Sequence, residues 1–182
     1  MSTATATTST DKKPTTTHDA PIHVYRVFIK ATPQAIWDAI TKPEWSEKYG
    51  YQARTEYELR RGGSFRAITS TAMKAFAPHM PDVMIVGEVI ESDPPRKLVQ
   101  TWHPVWDEAA AAEAPTRLTY EIEEIRGTCS LTVTHDLTGA PGLVKMVSGQ
   151  IREAGGGWPW TLSDLKTLLE TGSALGSNLG PA

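Results

Sequence analysis

The sequence predicts an α+β domain: a curved antiparallel sheet of about seven strands, two short helices after the first strand, and a long C-terminal helix laid over the sheet. Three observations carry that prediction. Apolar residues alternate along Thr116 to Ile125 and again along Thr128 to Leu137, on either side of Arg126-Gly127, which is the period of half-buried strands joined as a hairpin. Thr32-Pro33 stands ahead of Ile36, Trp37 and Ile40, an N-cap and first-turn proline before a helical face. After Gly155-Gly156-Gly157, the residues Trp158, Leu162, Leu165 and Leu169 share one helical face with Leu168 beside them, while Ser163, Asp164, Lys166, Thr167 and Glu170 are expected to face water. Such a stripe needs an apolar partner, and a curved sheet under a helix is a common way to enclose a pocket.

In chain order, Ile22 to Lys30 is dense in β-branched and aromatic residues and reads as the first strand, with Val27 and Ile29 toward the core. Pro33 to Thr41 follows as a short helix, and Pro43-Glu44-Trp45 starts a second helical turn. Thr55, Tyr57 and Leu59 alternate with charged residues, and Ser64 to Ser70 resumes as a strand after Gly62-Gly63, so these two strands form a hairpin. Thr71 to Asp82 is expected to be the least regular part of the core, too rich in proline for a strand and too apolar for an idle loop, either folding over an opening in the sheet or packed as a loop on its surface. Val83 to Glu91 and Lys97 to Trp102 are the next strands around a turn at Asp93-Pro94-Pro95, and His103 to Pro115 is a connection. In the last hairpin Leu118, Tyr120 and Ile122 share one face, as do Leu131, Val133, His135 and Leu137. Three consecutive glycines and Pro159 disfavour a continuous helix, so a break near Gly155 is expected, although Leu143, Val147 and Ile151 form a stripe upstream.

Composition sets the outer limits. The chain has 182 residues, 40% hydrophobic and 21% charged, with a net charge of -3, which suits one soluble domain. Residues 1–20 are mostly Thr, Ser and Ala and are expected to form a disordered tail, 21–172 a single domain, and 173–182 a flexible tail beyond a C-cap at Gly172. The mildly acidic balance argues against nucleic acid as a partner. No run approaches the roughly 20 apolar residues of a spanning helix, and no signal peptide opens the chain, so membrane insertion is not expected and cytoplasmic residence follows by default. The single cysteine, Cys129, excludes an internal disulfide and a multi-cysteine zinc site.

Several motifs then fall into one order: Ala31-Thr32-Pro33-Gln34-Ala35-Ile36-Trp37, Pro43-Glu44-Trp45, Gly62-Gly63-Ser64-Phe65, Gly87-Glu88-Val89-Ile90-Glu91, Asp93-Pro94-Pro95-Arg96-Lys97-Leu98 before Thr101-Trp102, Leu131-Thr132-Val133-Thr134-His135, and Gly157-Trp158-Pro159. Together they resemble the START-related helix-grip superfamily (SRPBCC), in the branch named for likeness to the activator of the ninety-kilodalton heat-shock chaperone's ATPase. The resemblance implies a helix-grip fold with a deep cavity between the sheet and the last helix. Its lining candidates here are Phe65, Met73, Trp102, Tyr120, Leu131, Val133, His135, Trp158, Leu162 and Leu165.

The resemblance implies three classes of function: binding of a lipid, isoprenoid or aromatic polyketide-like molecule; cyclase or dehydratase-type catalysis on such a ligand; or a stress-related co-chaperone or interaction role. Chaperone activators of this type carry a further domain not recognised in this chain, which makes a chaperone the least expected partner, and a homodimer stays open. For catalysis the weak candidates are His135 and Tyr120. His135 shares its strand face with Leu131 and Val133, where desolvation would keep the imidazole neutral, as a core hydrogen-bond partner or as a base. His79, His103 and His135 lie on separate segments without metal-ligand spacing, so no metal is expected, and no cofactor motif occurs.

Overall fold

The computed structural model describes residues 22–106, 108–151 and 155–176, and the backbone alone of Phe76. The tail expected over 1–20 and the end of the one expected over 173–182 lie outside these residues. The sheet has seven strands: β1 Ile22–Ile29, β2 Arg54–Tyr57, β3 Ser64–Ile68, β4 Val83–Asp93, β5 Lys97–Pro104, β6 Thr116–Ile125 and β7 Thr128–Asp136. Their spatial order is β1-β7-β6-β5-β4-β3-β2, every pairing antiparallel. All but one of these joins are between consecutive strands. The first strand instead returns beside the last, as it must when helices intervene after it. Register shifts between Ala67 and Ile68 and between Val89 and Glu91 bend the sheet, since an extra residue on one strand increases local twist.

Helices α1 (Pro33–Thr41) and α2 (Pro43–Ser46) follow the first strand as expected. The Thr32 hydroxyl accepts the Ala35 N–H, and Pro33 occupies the first turn. Ile36, Trp37 and Ile40 are buried against the sheet. Two connections are more ordered than the sequence suggests. Thr71–Phe76 forms a helix, α3, because Ser70 accepts the Met73 N–H and supplies an N-cap that the nearby prolines obscured. Likewise β5 extends to Pro104, and Glu108–Ala111 forms α4 within the alanine run. Leu59 falls beyond the end of β2 and is exposed.

Helix α5 (Val144–Val147) follows a short 3-10 turn at Pro141–Leu143, and α6 (Gly157–Thr171) is the final helix. The expected break between them is present. Gly149, Gly155, Gly156 and Gly157 all have positive φ, and α6 starts from a left-handed Gly156. The junction is also too tight for side chains: a Cβ on Gly157 would sit 2.5 Å from the Val147 carbonyl oxygen. We therefore expect Gly157→Ala to lower stability by about 2–3 kcal/mol, from strain plus the clash. Urea unfolding measures this directly, and a loss below about 0.5 kcal/mol would show that the junction relaxes freely.

Helix α6 buries Leu162, Leu165 and Leu168 and is fastened at both ends. The Tyr51 hydroxyl accepts the Gly157 N–H at 3.0 Å. At the far end Lys166 Nζ donates to the Phe28 carbonyl and Glu170 accepts the Lys30 N–H, and Gly172 forms the expected left-handed C-cap. One assignment is corrected here: Asp164 does not face water. It is 1% exposed, with Oδ2 accepting Gly50 N–H at 2.7 Å and Oδ1 accepting Leu175 N–H at 2.5 Å. The helical stripe puts Asp164 beside the core-facing Leu165 and Leu168, and only the chain segments that wrap the helix decide that its boundary residue is covered.

Candidate functional site

The inner face of the sheet follows from alternation and register. His23, Tyr25, Val27 and Ile29 project inward from β1, Leu131, Val133 and His135 from β7, and Leu118, Tyr120 and Ile122 from β6. From β5 come Leu98, Gln100 and Trp102, and from the β2-β3 hairpin come Tyr57 and Phe65. Helix α6 brings Trp158, Leu162 and Leu165 against these side chains. The structure thus gathers eight of the ten lining candidates, Phe65, Trp102, Tyr120, Leu131, Val133, Trp158, Leu162 and Leu165, into one apolar cluster or onto its margin, and the His135 ring meets Trp102 and Trp158 there. Met73 is buried on α3 but lies outside that cluster.

His135 is fully buried at the centre of a hydrogen-bonded chain. Trp158 Nε1–H donates to its Nδ1 at 3.1 Å, and Nε2 lies 2.8 Å from the Thr116 hydroxyl. Because Nδ1 accepts, a neutral ring carries its proton on Nε2 and donates it to Thr116 Oγ1; that hydroxyl in turn donates to the Trp102 carbonyl at 2.8 Å. Burial lowers the His135 pKa to about 3, with His23 lowering it further and Asp136 raising it slightly. Trp102 and Trp158 rings flank the imidazole edge-on at 5.1 and 6.1 Å. His135 is thereby a joint between β7, β6 and the start of α6, with both nitrogens engaged.

Three tyrosines define the other half of the interior. Tyr120 meets Trp158 edge-on at 6.0 Å, and Tyr57 stacks on Phe65 at 4.7 Å. Phe65 can lie flat there because the strand facing it carries Gly87, where a Cβ would meet both the Thr101 backbone and the Phe65 ring. Tyr49, in the segment after α2, donates to the Ala39 carbonyl at 3.2 Å. Burial pushes the hydroxyls of Tyr49, Tyr57 and Tyr120 well above the ordinary phenol value, and Tyr120 is raised further by the other two.

Sequence reading missed the most unusual member of this region. Gln100 is 0% exposed on the inner face of β5, and neither atom of its carboxamide completes a hydrogen bond. The signal was legible: Gln100 occupies the inward position between Leu98 and Trp102, where an apolar residue is the rule. Tyr57 belonged to a recognised alternation but was not singled out. His79 and His103 stay apart from the site, and among the described residues no three His, Cys, Asp or Glu side chains converge on a metal-sized point. No described helix is long and apolar enough to cross a membrane.

Comparison with known proteins fits this architecture. Residues 30–170 match the family described as Activator of Hsp90 ATPase homolog 1-like protein. Among solved structures, the protein encoded by gene BPP1335 from Bordetella parapertussis is 20% identical with a TM-score of 0.61, covering 91% of this chain and 83% of its own. CalU16 from Micromonospora echinospora is 19% identical with a TM-score of 0.59, covering 87% and 70%. The Aha1 dimer from Colwellia psychrerythraea is similar at 15% identity and a TM-score of 0.54, covering 83% and 97%. No curated protein matches the sequence significantly. At these identities the likeness to solved structures establishes the fold, a curved seven-stranded helix-grip sheet with its C-terminal helix.

Proposed function

Because this chain belongs to the family of Activator of Hsp90 ATPase homolog 1-like proteins, a branch of the helix-grip superfamily, we propose that it binds a hydrophobic small molecule of lipid, isoprenoid or aromatic polyketide type between the sheet and α6. The supporting observation is the accessibility of Tyr120. Its cross-strand neighbours Leu98 and Val133 are both 0% exposed, yet Tyr120, at the centre of the same inner face, keeps accessible surface, as do Trp158 and Tyr57. In a filled core the centre of the inner face is its driest part. Accessible aromatic surface there, beside a few polar groups, is the makeup of a small-molecule site.

Binding is favoured over proton-transfer chemistry. His135 has both ring nitrogens committed and a pKa near 3, and the Tyr120 hydroxyl is raised far from neutrality. Neither is matched to general acid or base work at neutral pH. The test is titration with N-phenyl-naphthylamine, a neutral apolar dye, read by its own emission and by quenching of tryptophan emission. One dye should bind per chain, and Tyr120→Trp, which fills the accessible space, should weaken binding by about tenfold without lowering the melting temperature. A protein that takes up no dye, or an unaffected Tyr120→Trp variant, overturns the reading.

A further inference from the structure

Within the binding region just described, we infer that Gln100, Tyr57 and Tyr120 form a recognition subsite for a neutral oxygen group, a hydroxyl or a carbonyl, on an otherwise apolar ligand. This rests on the proposed binding function and specifies what it selects. A fully buried carboxamide with no partner costs about 1–3 kcal/mol, and such groups are rare in native interiors. Gln100 carries two unmet functions, an acceptor oxygen and an NH2 donor, on the inner face.

Its surroundings match. Leu118 sits directly opposite Gln100 on β6, so Tyr120, two residues on, is its diagonal neighbour on the same face, within reach of an aromatic side chain. The Tyr120 hydroxyl makes no hydrogen bond to any described residue, which leaves both its proton and its lone pairs available. Tyr57 reaches in from the hairpin over the flat Phe65 ring; burial raises its hydroxyl, and the nearby Gln100 carboxamide, without completing a hydrogen bond, opposes part of that rise. The three side chains therefore offer donors and acceptors together.

The charge balance selects a neutral group. The buried polar residues among those described include no lysine or arginine, and the single buried carboxylate, Asp164, already accepts two backbone N–H groups. An anionic ligand would meet no buried cation among the described residues. An ammonium would find no free carboxylate. A hydroxyl or carbonyl needs no counter-ion and satisfies Gln100 directly.

Four probes sharing one apolar body separate these possibilities: naphthalene, a naphthol, a naphthoate and a naphthylmethylammonium, titrated at pH 7 and followed by calorimetry and tryptophan quenching. The naphthol should bind about tenfold more tightly than naphthalene, one to two hydrogen bonds' worth, and both charged probes more weakly than naphthalene. Gln100→Leu should erase the naphthol advantage over naphthalene and raise the melting temperature. Tyr57→Phe should erase part of the advantage, and provides an independent check. Equal binding of naphthol and naphthalene, a preference for the naphthoate, or a naphthol preference that survives in Gln100→Leu overturns the subsite while leaving apolar binding intact. Failure of all four probes removes the binding function itself, and the subsite with it.

Discussion

Lowering the pH from 7 to 4.5 removes about 2.5 kcal/mol of folding stability through His135 alone. The folded-state pKa of this buried imidazole is about 3 against an ordinary value of 6.5. Between those values the unfolded chain takes up a proton that the folded chain refuses. The stabilisation is thus fully present above pH 6.5 and is lost as pH falls toward 3, at up to about 1.4 kcal/mol per unit. The carboxylates with lowered pKa, Asp38, Asp82, Asp136 and Glu170, weaken the fold mainly at still lower pH, so the window from 6.5 to 4.5 belongs to the histidine. Chemical denaturation across that window, compared with His135→Gln, reads the effect. Parallel pH profiles in the two proteins would rule out this assignment. In the folded protein protonation comes only near pH 3, where it must break the Trp158 hydrogen bond because Nδ1 would become a donor facing a donor, so the emission of the folded protein should hold through the window and change below it.

Replacing Asp164 with alanine is expected to cost about 3 kcal/mol. The carboxylate ties the start of the segment after α2, through Gly50, and the segment after α6, through Leu175, to the middle of the final helix. Its removal leaves two amide donors without their acceptor, in a place only 1% exposed, at about 1–3 kcal/mol each before relaxation. Asp164→Asn keeps one acceptor oxygen but turns its NH2 donor on the other N–H, so it should be destabilised by at least about half as much. The urea midpoints of the two variants give the ranking. Near-wild-type stability in Asp164→Ala would mean that solvent replaces the carboxylate, contrary to its burial.

How much of this protein is legible in its sequence differs from element to element. The Thr32-Pro33 start of α1, the Arg126-Gly127 hairpin and the break ahead of Gly157 depend on local chemistry: a hydroxyl that can cap, a turn that tolerates positive φ, and glycines that no helix favours. Each emerged at its expected place. Helix α3 was hidden because its cap, Ser70, is a weak local signal beside Pro78 and Pro81. For the site, periodicity assigned His135 and Tyr120 to the inner face, since alternation along one strand suffices for that. It could not pair His135 with Trp158, residues 23 positions apart, nor expose Gln100 as unpartnered, because a partner is a property of neighbouring strands and not of the strand itself.

The sequence by itself determined the order of the strands, the inward-facing sets of β1, β6 and β7 and the apolar stripe of the closing helix, because period and turn chemistry act over a few residues. Only the tertiary structure decided what those faces meet. It buried Asp164 under two chain segments, committed both nitrogens of His135, and brought Gln100, Tyr57 and Tyr120 from three strands to one place. Such outcomes depend on register and on the approach of α6, and in a close-packed interior they settle which polar groups are satisfied and which are not.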